Sequence, residues 1–157
     1  MKITRPDASR IDDVKPLWLA LYTHHSSIAD WPVRTPEESW EKRRQVYADV
    51  VDEGGILLFA EEDDGTVVGL ALAEQEEGGS PTWSYPKDFV AIIDLIVLPE
   101  HRGKGVGERL MAEVEEEARR RGVAALDLMV VNTNDVAIRF YERLGFRTDL
   151  RTMRKPL

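Results

Sequence analysis

The chain contains no cysteine, which excludes disulfides, thiolate metal sites and a cysteine nucleophile, and with them any covalent route through an acyl-cysteine. Group transfer here must use another nucleophile or be direct. Positive charge is in short supply: 21 Lys and Arg face 29 Asp and Glu, a formal net charge of −8. That balance opposes the phosphate attraction behind general nucleic-acid binding and predicts no nucleic-acid partner. No apolar run approaches the length of a membrane span, and residues 1–7 carry no apolar signal region, which predicts no membrane association and a cytoplasmic protein. The sequence has no metal-ligand spacing, no internal repeat and no low-complexity linker. What is present, 157 residues, suits a single domain over 1–157 that buries roughly 70% of the surface its unfolded chain exposes.

Hydrophobic periodicity divides the chain into alternating elements. Residues 2–5 read as a strand, and residues 11–22 carry Val14, Leu17, Trp18, Leu21 and Tyr22 at helical spacing, with Pro16 as a kink or restart. Residues 24–36 read as a loop. Thr35-Pro36-Glu37-Glu38 then opens a helix that runs to about Val51. Residues 56–61 and 66–72 form a hairpin around Asp63-Asp64-Gly65. Residues 74–87, with Gly78, Gly79, Pro81 and Pro86, read as a loop or ragged strand end. Residues 90–98, nearly all apolar, predict a central strand covered on both faces. A helix follows to Arg121, then a strand over 124–131, a helix over 134–144, and two short strands at 146–147 and 150–155.

Between the apolar segment ending at Leu98 and the helix beginning near Glu108 lies Pro99-Glu100-His101-Arg102-Gly103-Lys104-Gly105-Val106-Gly107. A strand, a glycine-rich turn and a helix start together make an anion site, because glycines admit close approach and the first helical turn offers unpaired N–H groups. Arg102 and Lys104 add charge there. A Walker loop needs Ser or Thr after Gly-Lys, but Gly105 follows Lys104. A dinucleotide loop needs G-x-G-x-x-G, whereas Gly103, Gly105 and Gly107 are spaced two and two. The remaining pattern is Arg-x-x-Gly-x-Gly, from Arg102 through Gly105 to Gly107. Further on, Asn134, Ala137, Tyr141, Gly145 and Phe146 stand in the pattern N-x-x-A-x-x-x-Y-x-x-x-G-F.

These two segments, in this order, resemble the signatures of the GNAT superfamily of N-acetyltransferases. The resemblance implies an α/β fold with a mixed central sheet, element order βααβββαβαββ, helices on both faces and splayed central strands. It implies acetyl-CoA as cosubstrate and no metal. The pyrophosphate would sit on Arg102, Gly103, Lys104, Gly105, Val106 and Gly107. The pantetheine arm would pair with Leu95, Ile96 and Val97, beside a bulge near residues 94–97, with Asn134 and Tyr141 also in reach. The resemblance assigns the Leu95 N–H to the thioester carbonyl and Tyr141 to protonation of the leaving thiolate. The expected reaction is direct acetyl transfer to an amine acceptor, a small molecule, amino acid or peptide. The alternative is a CoA-binding regulatory module without turnover. Homodimerisation through the last strands is a further expectation.

The acceptor is expected against the first two helices and residues 74–87, where Trp18, Trp31, Trp40, Trp83 and Tyr85 accompany Asp30, Glu37, Glu38, Glu74 and Glu76. The family's usual positions for a basic glutamate hold Ala91, Ile93 and Met129, none of which accepts a proton. Strand alternation would put Asp94 on the face opposite Ile93, in a structural role. His24 and His25 read equally as loop residues or as catalytic ones, and His101 as a polar residue beside the phosphates. No single carboxylate is then expected to be indispensable. The rate would follow the acceptor's own deprotonation, or draw on a carboxylate, His24 or His25 through water.

Overall fold

The computed structural model describes residues 1–28, 32–78, 82 and 87–155. Strand β1 (Lys2–Thr4) leads through a 3₁₀ helix (Ala8–Val14) into α1 (Lys15–Ile28), followed by α2 (Pro36–Asp52), β2 (Ile56–Glu61), β3 (Val67–Glu77) and β4 (Asp88–Val97). A short 3₁₀ helix (Pro99–His101), α3 (Val106–Arg120), β5 (Leu126–Leu128) and α4 (Asp135–Arg143) complete it. The five strands lie in sequence order in one sheet, antiparallel from β1 to β4 and parallel between β4 and β5.

Two hydrophobic clusters sandwich this sheet. On one face, Val106, Leu110, Met111, Val114 and Ala118 of α3 pack on Ile56, Leu58, Val68, Ala71, Val90 and Ile92. On the other, Leu17, Trp18, Trp40, Tyr47 and Val50 of α1 and α2 pack on Leu57, Phe59, Leu70, Leu72 and Ile96. The α/β class and helices on both faces are thus as expected.

Several boundaries differ from expectation, each for a local reason. Pro16 does mark the expected restart: the 3₁₀ helix ends at Val14 and α1 begins at Lys15, with Pro16 in its first turn, where no intrahelical N–H bond is lost. The helix runs on to Ile28, so His24 and His25 are helical and not in a loop. Thr35 and Glu38 form the capping box that starts α2. Strand β3 continues to Glu77 and pairs with the start of β4 at Asp88, where a loop or ragged end is predicted. The strands covered on both faces are β2 and the first seven residues of β3, while burial alternates along β4 from Val90 to Val97.

Strand β5 spans only Leu126–Leu128, shorter than the predicted 124–131. The Asp127 carboxylate accepts from the Leu128 N–H at 2.7 Å, a local bond that competes with the ladder. The described residues 146–155 form no strand, which corrects the predicted final pair. Leu150 and Met153, 70% and 93% exposed, are too little apolar surface among Arg147, Asp149, Arg151, Arg154 and Lys155 to secure a register.

Candidate functional site

The feature that shapes the site is the parting of β4 from β5. The two pair only from Val90 with Leu126 to Ile92 with Leu128, whereas β4 continues to Val97 against β3. At the point of parting, Leu72 of β3 faces Asp94 and the next residue, Ala73, faces Ile92, so Ile93 is an extra residue in β4. The predicted bulge is real and lies one residue earlier than expected. It inverts the alternation of the strand. Val90 and Ile92 point to the α3 face, while Ile93 and Ile96 pack on the α1 and α2 face.

Beyond the bulge, half of the β4 backbone is left open. The Leu98 N–H donates to Val68 at 3.0 Å, and alternation in an antiparallel ladder then turns Ile96 toward β3 and leaves the N–H and C=O groups of Leu95 and Val97 facing away from it. Leu95, Ile96 and Val97 all line a cleft of about 410 Å³. Ile96 contributes only its surface, because its hydrogen-bonding groups belong to the sheet.

The floor of the cleft continues into the loop before α3. Gly105 precedes the helix with φ +77° and no side-chain cap, so the N–H groups of the first turn have no partner from a capping side chain. Nothing lies within 4 Å of a Cβ built on Gly105. Gly107 has a different job: a Cβ there would meet Phe140 Cζ at 3.2 Å, so its lack of a side chain lets α3 approach α4. Val106 is buried in the core beneath the loop. Arg102 lines the cleft but bends back, its Nε donating to the Val97 carbonyl at 2.9 Å. Lys104 is exposed and, like Gly105, lies outside the lining. Gly103 and His101 belong to the lining, with His101 Nδ1 3.4 Å from Glu62 Oε1.

The opposite wall is α4. Asn134 caps it, its side-chain oxygen accepting from the Ala137 N–H at 3.2 Å, while also lining the cleft. Tyr141 lines it too, its ring edge-on to Phe140 at 5.3 Å and Phe146 at 5.6 Å. Burial first, and then the charge of Asp94, push the Tyr141 phenol up to about 12. It therefore stays protonated through neutral pH, as a proton donor must. Arg139 and Arg143 also line the cleft. With Arg102 they make it locally cationic in a chain of net charge −8. Sequence reasoning missed these arginines, although their spacing of four on an amphipathic helix was a usable signal.

Asp94 requires a correction. The bulge places it on the same face as Ile93 and not the opposite one, and its carboxylate is held by side chains. Tyr47 donates a hydrogen bond at 2.7 Å and Arg43 Nη1 lies at 3.4 Å. Burial raises the Asp94 carboxyl against the lowering influence of Arg43 and Tyr47. Trp18 and Trp40 are core residues, with Arg43 stacked 4.6 Å above the Trp18 ring. Glu38 serves the α2 cap. Glu74 faces a separate hollow of about 160 Å³ beside Glu53 and Arg121. Met129, one of the usual base positions, is 99% exposed. Asp30, Trp31, Trp83 and Tyr85 lie outside the described residues.

The open strand edge and the uncapped helix that share this cleft belong to a recognised family. The model of the acetyltransferase (GNAT) family matches residues 18–146, and the chain is a member of that family. It is 31% identical over 143 residues to mycothiol acetyltransferase of Propionibacterium freudenreichii, covering 90% of this chain and 42% of that one. It is 47% identical over 83 residues to streptothricin acetyltransferase of Streptomyces lavendulae, covering 53% of this chain and 40% of the relative. The chain thus spans less than half the length of these curated relatives. A solved structure from Bacillus halodurans, a tetramutant, superposes over the whole of both chains with a TM-score of 0.80 at 24% identity, and shares the fold.

Proposed function

We propose that this chain, acting as one domain over 1–157, moves an acetyl group from acetyl-CoA to an amine acceptor by direct attack in a ternary complex. The observation that carries the reading is the convergence on one cleft of an uncapped helix start, an unpaired strand edge and a phenol held protonated. Each matches one part of the cosubstrate. The first-turn N–H groups of α3 hold the pyrophosphate, assisted by Gly103, Lys104 and the arginines of the rim. The N–H and C=O of Leu95 and the N–H of Val97 pair with the amides of the pantetheine arm as a further strand would, while the Val97 carbonyl already accepts from Arg102. Asn134 and Tyr141 bound the arm on the α4 side.

Acetyl-CoA supplies an activated acyl carbon, and the chain supplies the polarisation and the proton. The Leu95 N–H donates to the carbonyl oxygen as charge builds there. Tyr141 gives its proton to the departing sulfur. With the phenol near 12 and a free thiol near ~8.5, that transfer is uphill by roughly 5 kcal/mol, unless the same burial raises the thiol beside it. Among the described residues, the carboxylate lining the cleft is Glu108, in the first turn of α3. The lining beside Leu95 and Tyr141 also includes Leu21 and His24, and so carboxylate-poor a site favours a weakly basic amine, since deprotonating an α-amine near ~7.8 costs only about 1 kcal/mol at neutral pH. The relatives named for mycothiol and streptothricin support a small-molecule acceptor.

The test is release of free thiol from acetyl-CoA in the presence of a panel of amino sugars, aminoglycosides, amino acids, dipeptides and polyamines. Amine-dependent release is the expected result. Tight acetyl-CoA binding without release for any amine would leave the non-catalytic binding module, and absence of binding would remove both.

A further inference from the structure

We propose that His24 is the proton acceptor for the attacking amine, an inference that rests on the acetyl-transfer reading above. Leu17, Leu21, His24 and Ile28 follow one another at intervals of four, three and four along α1, the spacing of a single helix face. That face is the one turned to the sheet. Leu17 is fully buried and Leu21 packs on the same cluster. At the end of the helix, the Ile28 carbonyl accepts from Thr133 Oγ1 at 3.3 Å, which ties α1 to the loop before α4. An imidazole on an otherwise apolar stripe thus sits over the place where β4 and β5 part, and His24 lines the cleft together with Leu21, Leu95 and Tyr141.

Elimination among the described residues leads to the same side chain. The other proton acceptors lining the cleft, His101 and Glu108, belong to the loop and first turn of α3 at the far end. Asp94 does not line the cleft, and its carboxylate is held by Tyr47 and Arg43. His25, its ring centroid 6.1 Å from that of His24, also lies outside the lining, and burial, His24 and Arg43 lower its affinity for a proton. Among the described residues, the charged and titratable groups that share the cleft with His24 are His101 and Arg102 before α3, Glu108 on α3, and Arg139, Tyr141 and Arg143 on α4, with His25 beside it on its own helix. Imidazole is also the side chain suited to exchanging a proton near neutrality.

The proton account closes. The amine nitrogen bonds to the acetyl carbon, the carbon–sulfur bond breaks, and its electron pair passes to sulfur. His24 takes a proton from the nitrogen and Tyr141 gives one to the sulfur. The His24 proton returns to Tyr141 through solvent, so a neutral amine leaves no net proton. An acceptor that arrives as ammonium releases one to water.

The experiment compares the unaltered protein, His24→Gln and His24→Ala across pH, using two acceptors from the panel whose amines differ in basicity. In the unaltered protein, kcat/KM should show a lower inflection common to both acceptors. In His24→Gln it should fall by roughly 100-fold or more near neutrality and lose that inflection, following each amine's own deprotonation instead. Added imidazole should restore His24→Ala at least roughly tenfold. A second readout does not depend on a variant protein folding. In a chain with three histidines, nitrogen-15 histidine resonances can be assigned singly, and the His24 titration midpoint in the unaltered protein should coincide with the kinetic inflection. A His24→Gln protein within threefold of the unaltered rate and keeping the inflection would overturn the assignment, as would a His24 midpoint that does not coincide. No transfer by the unaltered protein to any amine would overturn the acetyl-transfer reading itself, which separates the two failures.

Discussion

Glu61 and Asp94 are the buried carboxylates of the described residues, at 2% and 7% exposure, and their surroundings are opposite in kind. Glu61 stands at the β1 side of the sheet, where the Thr4 hydroxyl donates at 2.8 Å, Arg10 Nη1 lies at 2.5 Å and Lys2 at 3.8 Å. Burial pushes its carboxyl up, but the hydrogen bonds and charges of Arg10 and Thr4 outweigh it and hold the group below its ordinary value. Asp94 stands beside the open cleft with the Tyr47 hydroxyl and a more distant Arg43, and for it burial prevails and the carboxyl is raised. The same division runs through the strands. Every residue of β2 is buried, whereas β4 alternates and then loses its neighbour. One side of the sheet is saturated and serves stability. The other, among the described residues, leaves backbone donors past the parting of β4 from β5, a helix start without a side-chain cap and a phenol with no hydrogen-bond partner, which is what a ligand site requires.

Substitutions should separate these sides, and the largest effect belongs to the cleft. Gly105→Glu should weaken acetyl-CoA binding by roughly 100-fold or more, since it brings negative charge to the helix start. Its φ of +77° makes any side chain strained, at about 1 to 2 kcal/mol, so calorimetric titration should be paired with a thermal melt that shows a folded protein. Tyr141→Phe should lower kcat by roughly 100-fold while leaving acetyl-CoA affinity within a few-fold, as steady-state kinetics beside the same titration would show.

On the saturated side, Glu61→Gln should cost about 2 kcal/mol in urea unfolding, because charged hydrogen bonds to Arg10 and Thr4 weaken, with kcat/KM unchanged. Its pH dependence follows from the direction of the shift. A carboxyl lowered in the folded state contributes stability above its unfolded value near ~4.3 that is lost as pH falls through the folded value. The Gln variant should therefore lose that acid sensitivity. Asp94→Asn should be the smallest change, within about 1 kcal/mol at neutral pH, since Asn can still accept from Tyr47 and removes a charge that burial disfavours. Its sign is reversed. A raised carboxyl favours the folded state most below about 3.9 and progressively less as pH rises through the folded value. Asp94→Asn should then gain on the unaltered protein as pH rises above about 4. Parallel pH trends for the Glu61 and Asp94 variants would erase the contrast between the two sides.

Much of this was legible in the residues themselves. The order of elements through α4, the glycine turn before α3 and the segment from Asn134 to Phe146 are written as periodicity and spacing, which depend on neighbours a few residues apart. What sequence reading missed depends on partners far along the chain. Burial alternation predicted from strand period put Asp94 on the wrong face, because an extra residue at Ile93 shows only against Leu72 and Ala73. The α1 end was placed too early, since Ser26 and Ser27 suggest a loop, while their hydroxyls instead bond to Tyr22 and His24 carbonyls within the helix. Leu150 and Met153 fall in a predicted strand, but they stand 70% and 93% exposed and give it no buried face. Gly107 matched the phosphate pattern and also fulfils a packing need that only the position of Phe140 reveals.

The central claim is that the edge of β4 beyond the bulge receives acetyl-CoA as an added strand. Amide hydrogen exchange followed by NMR, with and without acetyl-CoA, tests it residue by residue. The account predicts slowed exchange at Leu95 and Val97, changes at the first-turn amides of α3, and no change at Ile96, whose N–H turns to β3, or at Phe59 in the saturated part of the sheet. Acetyl-CoA binding that left Leu95 and Val97 exchanging as before would contradict it.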